Sequence, residues 1–204
     1  MSIAISEVRE HQLDSVLALN NTAGPAILPL DAERLRYFFT TAQYFRVAER
    51  DGAIAGFLVG FASDVAHSSD NFAWFRRYCP EFFYIDRIVV ASRRRGGGVG
   101  RALYADVQSY AELRHPRLAC EVFLEQSDAD PALLFHGSFG FREVGQHRMR
   151  LGGSVAQDIR VAMLMKELCS YPWVRDTYGD RLPDEPWLLG RAHSSANGYG
   201  EHVR

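Results

Sequence analysis

The apolar positions of the chain change period several times, and each change marks the edge of an element. Residues 2–9, SIAISEVR, alternate apolar with polar and predict a short strand, after which HQLDSVLALNN brings Leu13, Val16, Leu17 and Asn20 to helical spacing. TAGPAILP breaks that period. Asp31 then stands where an N-cap belongs for a second helix over AERLRYFFTTAQ, with Leu35 and Phe38 or Phe39 on one side. YFRVAERDGAIAGFLVGFAS reads as two β-rich runs joined at Asp51-Gly52, a strong hairpin signal. Residues 63–80 hold Phe72, Trp74, Phe75 and Tyr78 and are expected to be an irregular connection. FFYIDRIVVA is a strand by its β-branched and aromatic content; alternation assigns Tyr84, Asp86, Ile88 and Val90 to one face and Ile85, Arg87 and Val89 to the other.

Beyond this strand, Val99, Leu103, Val107 and Ala111 fall at four-residue steps and mark the buried face of a helix. LACEVFLEQ is the next strand, DPALLFHGSFGF a short helix with Pro131 in its first turn and Gly140 at its end, and FREVGQHRMRL with IRVAMLMKEL a closing hairpin. The order is β, two helices, ββ, β, α, β, α, ββ, an α/β pattern with antiparallel parts on either side of a strand–loop–helix unit. From Cys169 onward the sequence is rich in Pro, Gly and Trp without a period. The expected organisation is therefore one domain over residues 1–168 and an extension over 169–204 that wraps the core or a partner.

A chain of 204 residues, 47% apolar, suits a single core. A formal charge of −2 gives no reason to expect nucleic acid or an anionic membrane, and the Arg93–Arg95 cluster has no basic stripe or aromatic platform beside it. No apolar window approaches the roughly 20 residues that span a bilayer, and the N-terminus lacks a signal-type core. Cys79, Cys120 and Cys169 form no close pair and the histidines show no ligand spacing, so neither a disulfide framework nor a metal site is expected. The expected address is cytoplasmic.

The chemistry concentrates in IVVASRRRGGGVGRAL, residues 88–103. A strand feeding a glycine loop and then a helix turns the first helical N–H groups, which lack intrahelical partners, into a concavity suited to an anion. Arg94 and Arg95 would add charge. The loop has no G-K-[ST] and so lacks the lysine and hydroxyl of the triphosphate-binding loop; its mid-chain position after a hairpin does not suit a dinucleotide-binding unit. RGGGVGRAL instead resembles the [QR]-x-x-G-x-[GA] loop of the GNAT superfamily of N-acetyltransferases, with Arg95, Gly98 and Gly100 in the defining positions. DPALLFHGSFGF is similar to a second landmark of that family, with Ala132, Gly140 and Phe141 in register, and the element order is similar from about Ile3 to Leu168. Within the superfamily, LALNN, FYIDRIVV and FHGSFGF most resemble a branch of uncharacterised predicted acetyltransferases.

The resemblance implies a mixed α/β (α+β) fold, its mostly antiparallel central sheet splayed in a V with helices on both faces. It implies acetyl-CoA as co-substrate, its pantetheine arm on Ile88, Val89 and Val90 and its diphosphate on Arg95, Gly96, Gly97, Gly98, Val99, Gly100 and Arg101. The N–H of Val90 would serve the oxyanion. Ala129 stands where the family has Asn, flanked by Asp128 and Asp130, and His136 stands where it has the Tyr that protonates the departing thiolate. Direct transfer needs a base, an oxyanion donor and an acid. Asp86 is the first choice for the base, with an ion-pair or ammonium-anchoring role as the alternative. Glu121 is the second carboxylate, and His136 is the candidate acid. Cys120, flanked by apolar residues, reads as an inert thiol. The expected activity is acetyl transfer to a primary amine of a small-molecule or peptide acceptor, with a catalytically silent CoA-binding sensor or scaffold as the alternative. A homodimer is left open.

Overall fold

Seven strands hydrogen-bond into one sheet in the order β1-β2-β3-β4-β5-β7-β6 in a computed structural model that describes residues 2–24, 27–124, 131–151 and 157–179. The strands are β1 Ala4–Glu7, β2 Tyr44–Arg50, β3 Ala53–Ala62, β4 Phe83–Val90, β5 Arg117–Phe123, β6 Arg142–Leu151 and β7 Gln157–Glu167. Five of the six neighbouring pairs are antiparallel. The β2–β3 turn has both central residues, Asp51 and Gly52, at positive φ (56° and 74°), which matches the right-handed twist of the flanking strands. β4 and β5 form the parallel pair, because the connection between them is a crossover helix. They pair only at Phe83–Leu118 and Tyr84–Ala119, so the remainder of β4 and of β5 flank a V-shaped opening.

Helices cover both faces. On one side lie α1 Leu13–Asn21, α2 Ala32–Thr41 and α3 Asp70–Tyr78; on the other lie α4 Val99–Glu112 and α5 Pro131–Gly137. The first layer is strongly aromatic: Phe38, Phe57, Phe61, Phe72, Phe75 and Phe82 are fully buried, each worth roughly 1.5–3 kcal/mol of transfer free energy. In the second layer, Val99, Leu103, Val107 and Ala111 of α4 pack on Leu58, Ile85 and Leu118, as their spacing predicts. Asp31 caps α2 by accepting a hydrogen bond from the Arg34 N–H at 2.7 Å.

Three expectations are corrected. The stretch read as an irregular connection contains α3, whose Ser69 cap accepts from the N–H groups of Asn71 and Phe72 and whose Phe72 and Phe75 are buried one turn apart. The segment after Cys169 begins with a helix, α6 Tyr171–Tyr178, which has a proline in its first turn and Val174 buried; residues from 180 onward lie outside the described residues. The uninterrupted alternation along β4 is also broken. Val59 pairs with Arg87 but Gly60 pairs with Ile85, leaving Asp86 as the extra residue of a β-bulge. The bulge resets the parity. Tyr84 and Val89 both join the α1–α3 layer, to which Asp86 and Arg87 also turn, whereas Ile88 and Val90 lie with Ile85 in the α4 layer.

Candidate functional site

The open end of β4 continues into a 3₁₀ turn, Ser92–Arg94, and then into the glycine loop. Gly98 caps α4 with φ +85°, a conformation that side chains with a Cβ rarely adopt. The first helical bond is Ala102 N–H to Gly98 O at 2.9 Å, so the N–H groups of Val99, Gly100 and Arg101 precede the ladder. Gly100 is closely approached: a Cβ there would lie 3.1 Å from Cζ of Phe135 on α5. The loop is braced from the β2–β3 hairpin by Arg50, which donates to Gly97 O at 3.2 Å, and by the Asp51–Arg94 ion pair at 2.9 Å. Arg95 donates to Ala23 O beyond α1 at 3.1 Å. A cavity of about 440 Å³ opens between the end of α1 (Leu19, Thr22, Ala23) and the end of β4 (Val90, Ser92, Arg94). Ala91 N–H donates to Ala55 O on β3, so alternation turns the amides of Ile88 and Val90 away from β3 and toward the splay.

Polar groups collect around the splay on the α1–α3 side. Tyr84, buried in the aromatic layer, donates its hydroxyl to Glu121 Oε1 at 2.7 Å, and Asn71 Nδ2 donates to the same oxygen at 3.1 Å. Glu121 Oε2 is shut off from solvent and has no hydrogen-bond partner. Burial raises the Glu121 carboxyl to about 7; the Tyr84 hydrogen bond opposes that rise and the Asp86 charge adds to it. Asp86 has the contrary environment. Its Oδ1 accepts from Arg87 Nε at 2.7 Å and its Oδ2 lies 3.1 Å from His67 Nε2. Burial pushes the Asp86 pKa up, but the Arg87 charge and the adjacent His67 ring outweigh it and hold the group at about 2. His67 Nδ1 accepts the Ser69 N–H at 3.2 Å, which leaves the ring proton on Nε2, facing Asp86. Arg87 also donates to Asn20 Oδ1 (2.9 Å) and Leu28 O (3.2 Å) and stacks over Phe38, tying the α1–α2 connection to the bulge.

His136 lies on the opposite face, buried among Phe135, Tyr104 and Phe141. Its Nδ1 is 2.6 Å from the Tyr104 hydroxyl and 3.5 Å from Cys120 Sγ. Burial pushes the thiol of Cys120 well up, away from thiolate character.

The sequence-derived residues therefore fall into three groups: the loop from Arg95 to Arg101 at the mouth of the splay, Asp86 and Glu121 on one face, and His136 on the other. Ala129 and its flanking aspartates lie outside the described residues. Sequence reasoning missed Asn71, His67, Arg87 and Tyr104. For Asn71 a signal existed in Ser69-Asp70 followed by Phe72 and Phe75, a capped amphipathic turn hidden in an aromatic-rich stretch. The pairing of His67 with Asp86 leaves no trace in the sequence. Among the described residues no group of three His, Cys, Asp or Glu side chains is placed to hold a metal, and no helix is long and apolar enough to cross a membrane.

A splayed mixed sheet with a glycine loop capping the helix beyond the opened strand is the architecture shared with solved N-acetyltransferase structures. The model of the acetyltransferase (GNAT) family matches residues 11–141, and the chain belongs to that family. Solved structures of similar fold include the ribosomal-protein-S18-alanine N-acetyltransferase from Escherichia coli (16% identity, 82% of this chain and 94% of that one, TM-score 0.60). Another is Arabidopsis thaliana Naa50 in complex with the bisubstrate analogue CoA-Ac-MVNAL (16%, 82% and 99%, TM-score 0.60). A third is yncA, a putative acetyltransferase from Salmonella typhimurium with its cofactor acetyl-CoA (17%, 82% and 95%, TM-score 0.61). At these identities the likeness is one of fold. No curated protein matches the sequence.

Proposed function

We propose that the protein transfers the acetyl group of acetyl-CoA to a primary amine, with Glu121 as the base and His136 as the acid. The observation that carries this reading is the Glu121 carboxyl, held at the splay by Tyr84 and Asn71 with its pKa at about 7, where a base can both take a proton and release it. Asp86 is paired on both oxygens and too acidic for that work, so it becomes a positioning residue for His67 and Arg87. The unpaired amides at the start of α4 and the left-handed Gly98 suit a diphosphate, and the outward amides of Ile88 and Val90 suit the amide-bearing arm and the carbonyl oxygen of the thioester.

In the reaction the amine nitrogen bonds to the thioester carbonyl carbon while Glu121 takes a proton from nitrogen. The carbon–sulfur bond breaks, and the sulfur receives a proton from His136. Solvent exchange then restores both groups. Naa50 with its bisubstrate analogue supports a peptide as one form of acceptor, and small amines are the other. The test is thiol release from acetyl-CoA across a panel of N-terminal peptides, amino acids, polyamines and simple amines. Release that depends on an amine supports the reading. Tight acetyl-CoA binding with no release across the panel would favour a sensor or scaffold.

A further inference from the structure

Two buried acceptor atoms at the site have no donor: Glu121 Oε2 and Asn71 Oδ1. They belong to side chains already joined by the Asn71 Nδ2 to Glu121 Oε1 bond, so they sit on one small cluster. The orientation of the amide is fixed by this contact, since turning it over would set its oxygen against a carboxylate oxygen. Buried acceptors without donors are unfavourable, and native structures keep few of them. Asn71 is 1% exposed, and two layers hold it in place: the Ser69 cap anchors its backbone, and the neighbouring Trp74 packs over Gly145 of β6.

We propose that Asn71 is a specificity-determining residue, whose Oδ1 accepts one N–H of the acceptor amine while Glu121 Oε2 takes the other. The inference rests on the transferase reading above. A neutral primary amine presents two hydrogens and one lone pair. With both hydrogens held by the two oxygens, the lone pair is left for the carbonyl carbon. A secondary amine presents one hydrogen, and if Glu121 takes it, Asn71 Oδ1 stays buried and unpaired. The chain therefore selects primary over N-alkylated amines by hydrogen bonding, in addition to any exclusion by size. Sites built to hydrogen-bond a substrate N–H reject analogues that lack it for this reason.

The probes are matched pairs: the amide of Ala-Ala-Ala against its N-methylalanyl counterpart, and butylamine against N-methylbutylamine, each measured by thiol release. In the wild type the primary member should be favoured at least about tenfold in kcat/KM. In Asn71→Ala both rates should fall, because the Nδ2 bond to Glu121 Oε1 is lost as well, but the primary rate should fall about tenfold further than the N-methyl rate, so that the preference collapses. Asn71→Asp keeps an acceptor oxygen but sets a second carboxyl against Glu121 Oε1, and should retain the preference at a pH where the two carboxyls share one proton. Acetyl-CoA affinity by calorimetry, unchanged in both variants, shows that they fold. Equal wild-type rates within each pair, or a preference that survives in Asn71→Ala, would overturn the role of Asn71 and leave the transferase reading standing. No acetylation of any amine by a protein that binds acetyl-CoA would overturn both.

Discussion

Removing a single buried hydroxyl tests the electrostatics of the site. Tyr84→Phe deletes the 2.7 Å hydrogen bond to Glu121 Oε1 and keeps the ring that fills the aromatic layer. Hydrogen bonds to charged groups contribute roughly 1.5–3 kcal/mol, and this one favours the carboxylate over the acid. Its loss should raise the Glu121 pKa from about 7 to roughly 8 or 9, since 1.36 kcal/mol corresponds to one pH unit. A base must be ionised to act. At pH 7 about half of Glu121 is ionised in the wild type, against roughly 1–10% in the variant, so the rate should fall roughly 5- to 50-fold. At alkaline pH the two rates should converge. The assay is a pH–rate series of thiol release with acetyl-CoA saturating. An acidic limb at the same pH in both proteins, or a loss of rate that is independent of pH, would refute the argument. Stability supplies a second readout. A carboxyl raised from its ordinary 4.5 to about 7 holds its proton longer in the folded state than in the unfolded state. Stability is therefore favoured below about 4.5 and declines as pH rises to about 7, by up to roughly 3 kcal/mol. In Tyr84→Phe the decline should extend to higher pH.

Gly100→Glu places a Cβ 3.1 Å from Phe135 and a carboxylate at the anion-binding end of α4, and should weaken acetyl-CoA binding more than about tenfold by calorimetry; equal affinity would remove the loop from the binding site. Asp86→Asn leaves the Arg87 guanidinium without its carboxylate in a nearly buried setting, which should cost roughly 3–5 kcal/mol and lower Tm by roughly 10 °C. That stability belongs to an acid whose pKa is depressed. It is present above the ordinary 3.8 and disappears as pH falls through about 2, so the Tm gap to wild type should narrow at low pH; a constant gap would contradict the ion-pair account. His136→Phe should lose most of the turnover and its alkaline limb, while His136→Tyr should retain turnover with that limb moved upward; identical profiles for wild type and His136→Phe would leave His136 a packing role.

Some of this protein could be read from the sequence because the relevant physics is local. Asp51-Gly52 specifies its own turn, Asp31 its own helix start, and the four-residue steps from Val99 to Ala111 one buried face. The glycine loop belongs to the same class: a left-handed residue at Gly98 and free amides at a helix start are consequences of a short contiguous stretch. Only the tertiary structure gave the two carboxylates their contrasting environments. Alternation along β4 is a rule for an unbroken ladder, and the bulge at Asp86, created by its pairing with β3, turned that side chain toward His67 and Arg87 and drained its basicity. Glu121 acquired its high pKa from the burial that α3 helps provide and from the Asp86 charge, and the groups that restrain the rise, Tyr84 and Asn71, lie 37 and 50 residues away in sequence. The sequence carries each of these residues but not their proximity, because a pKa depends on desolvation and on charges within a few ångströms, which come from packing across the sheet.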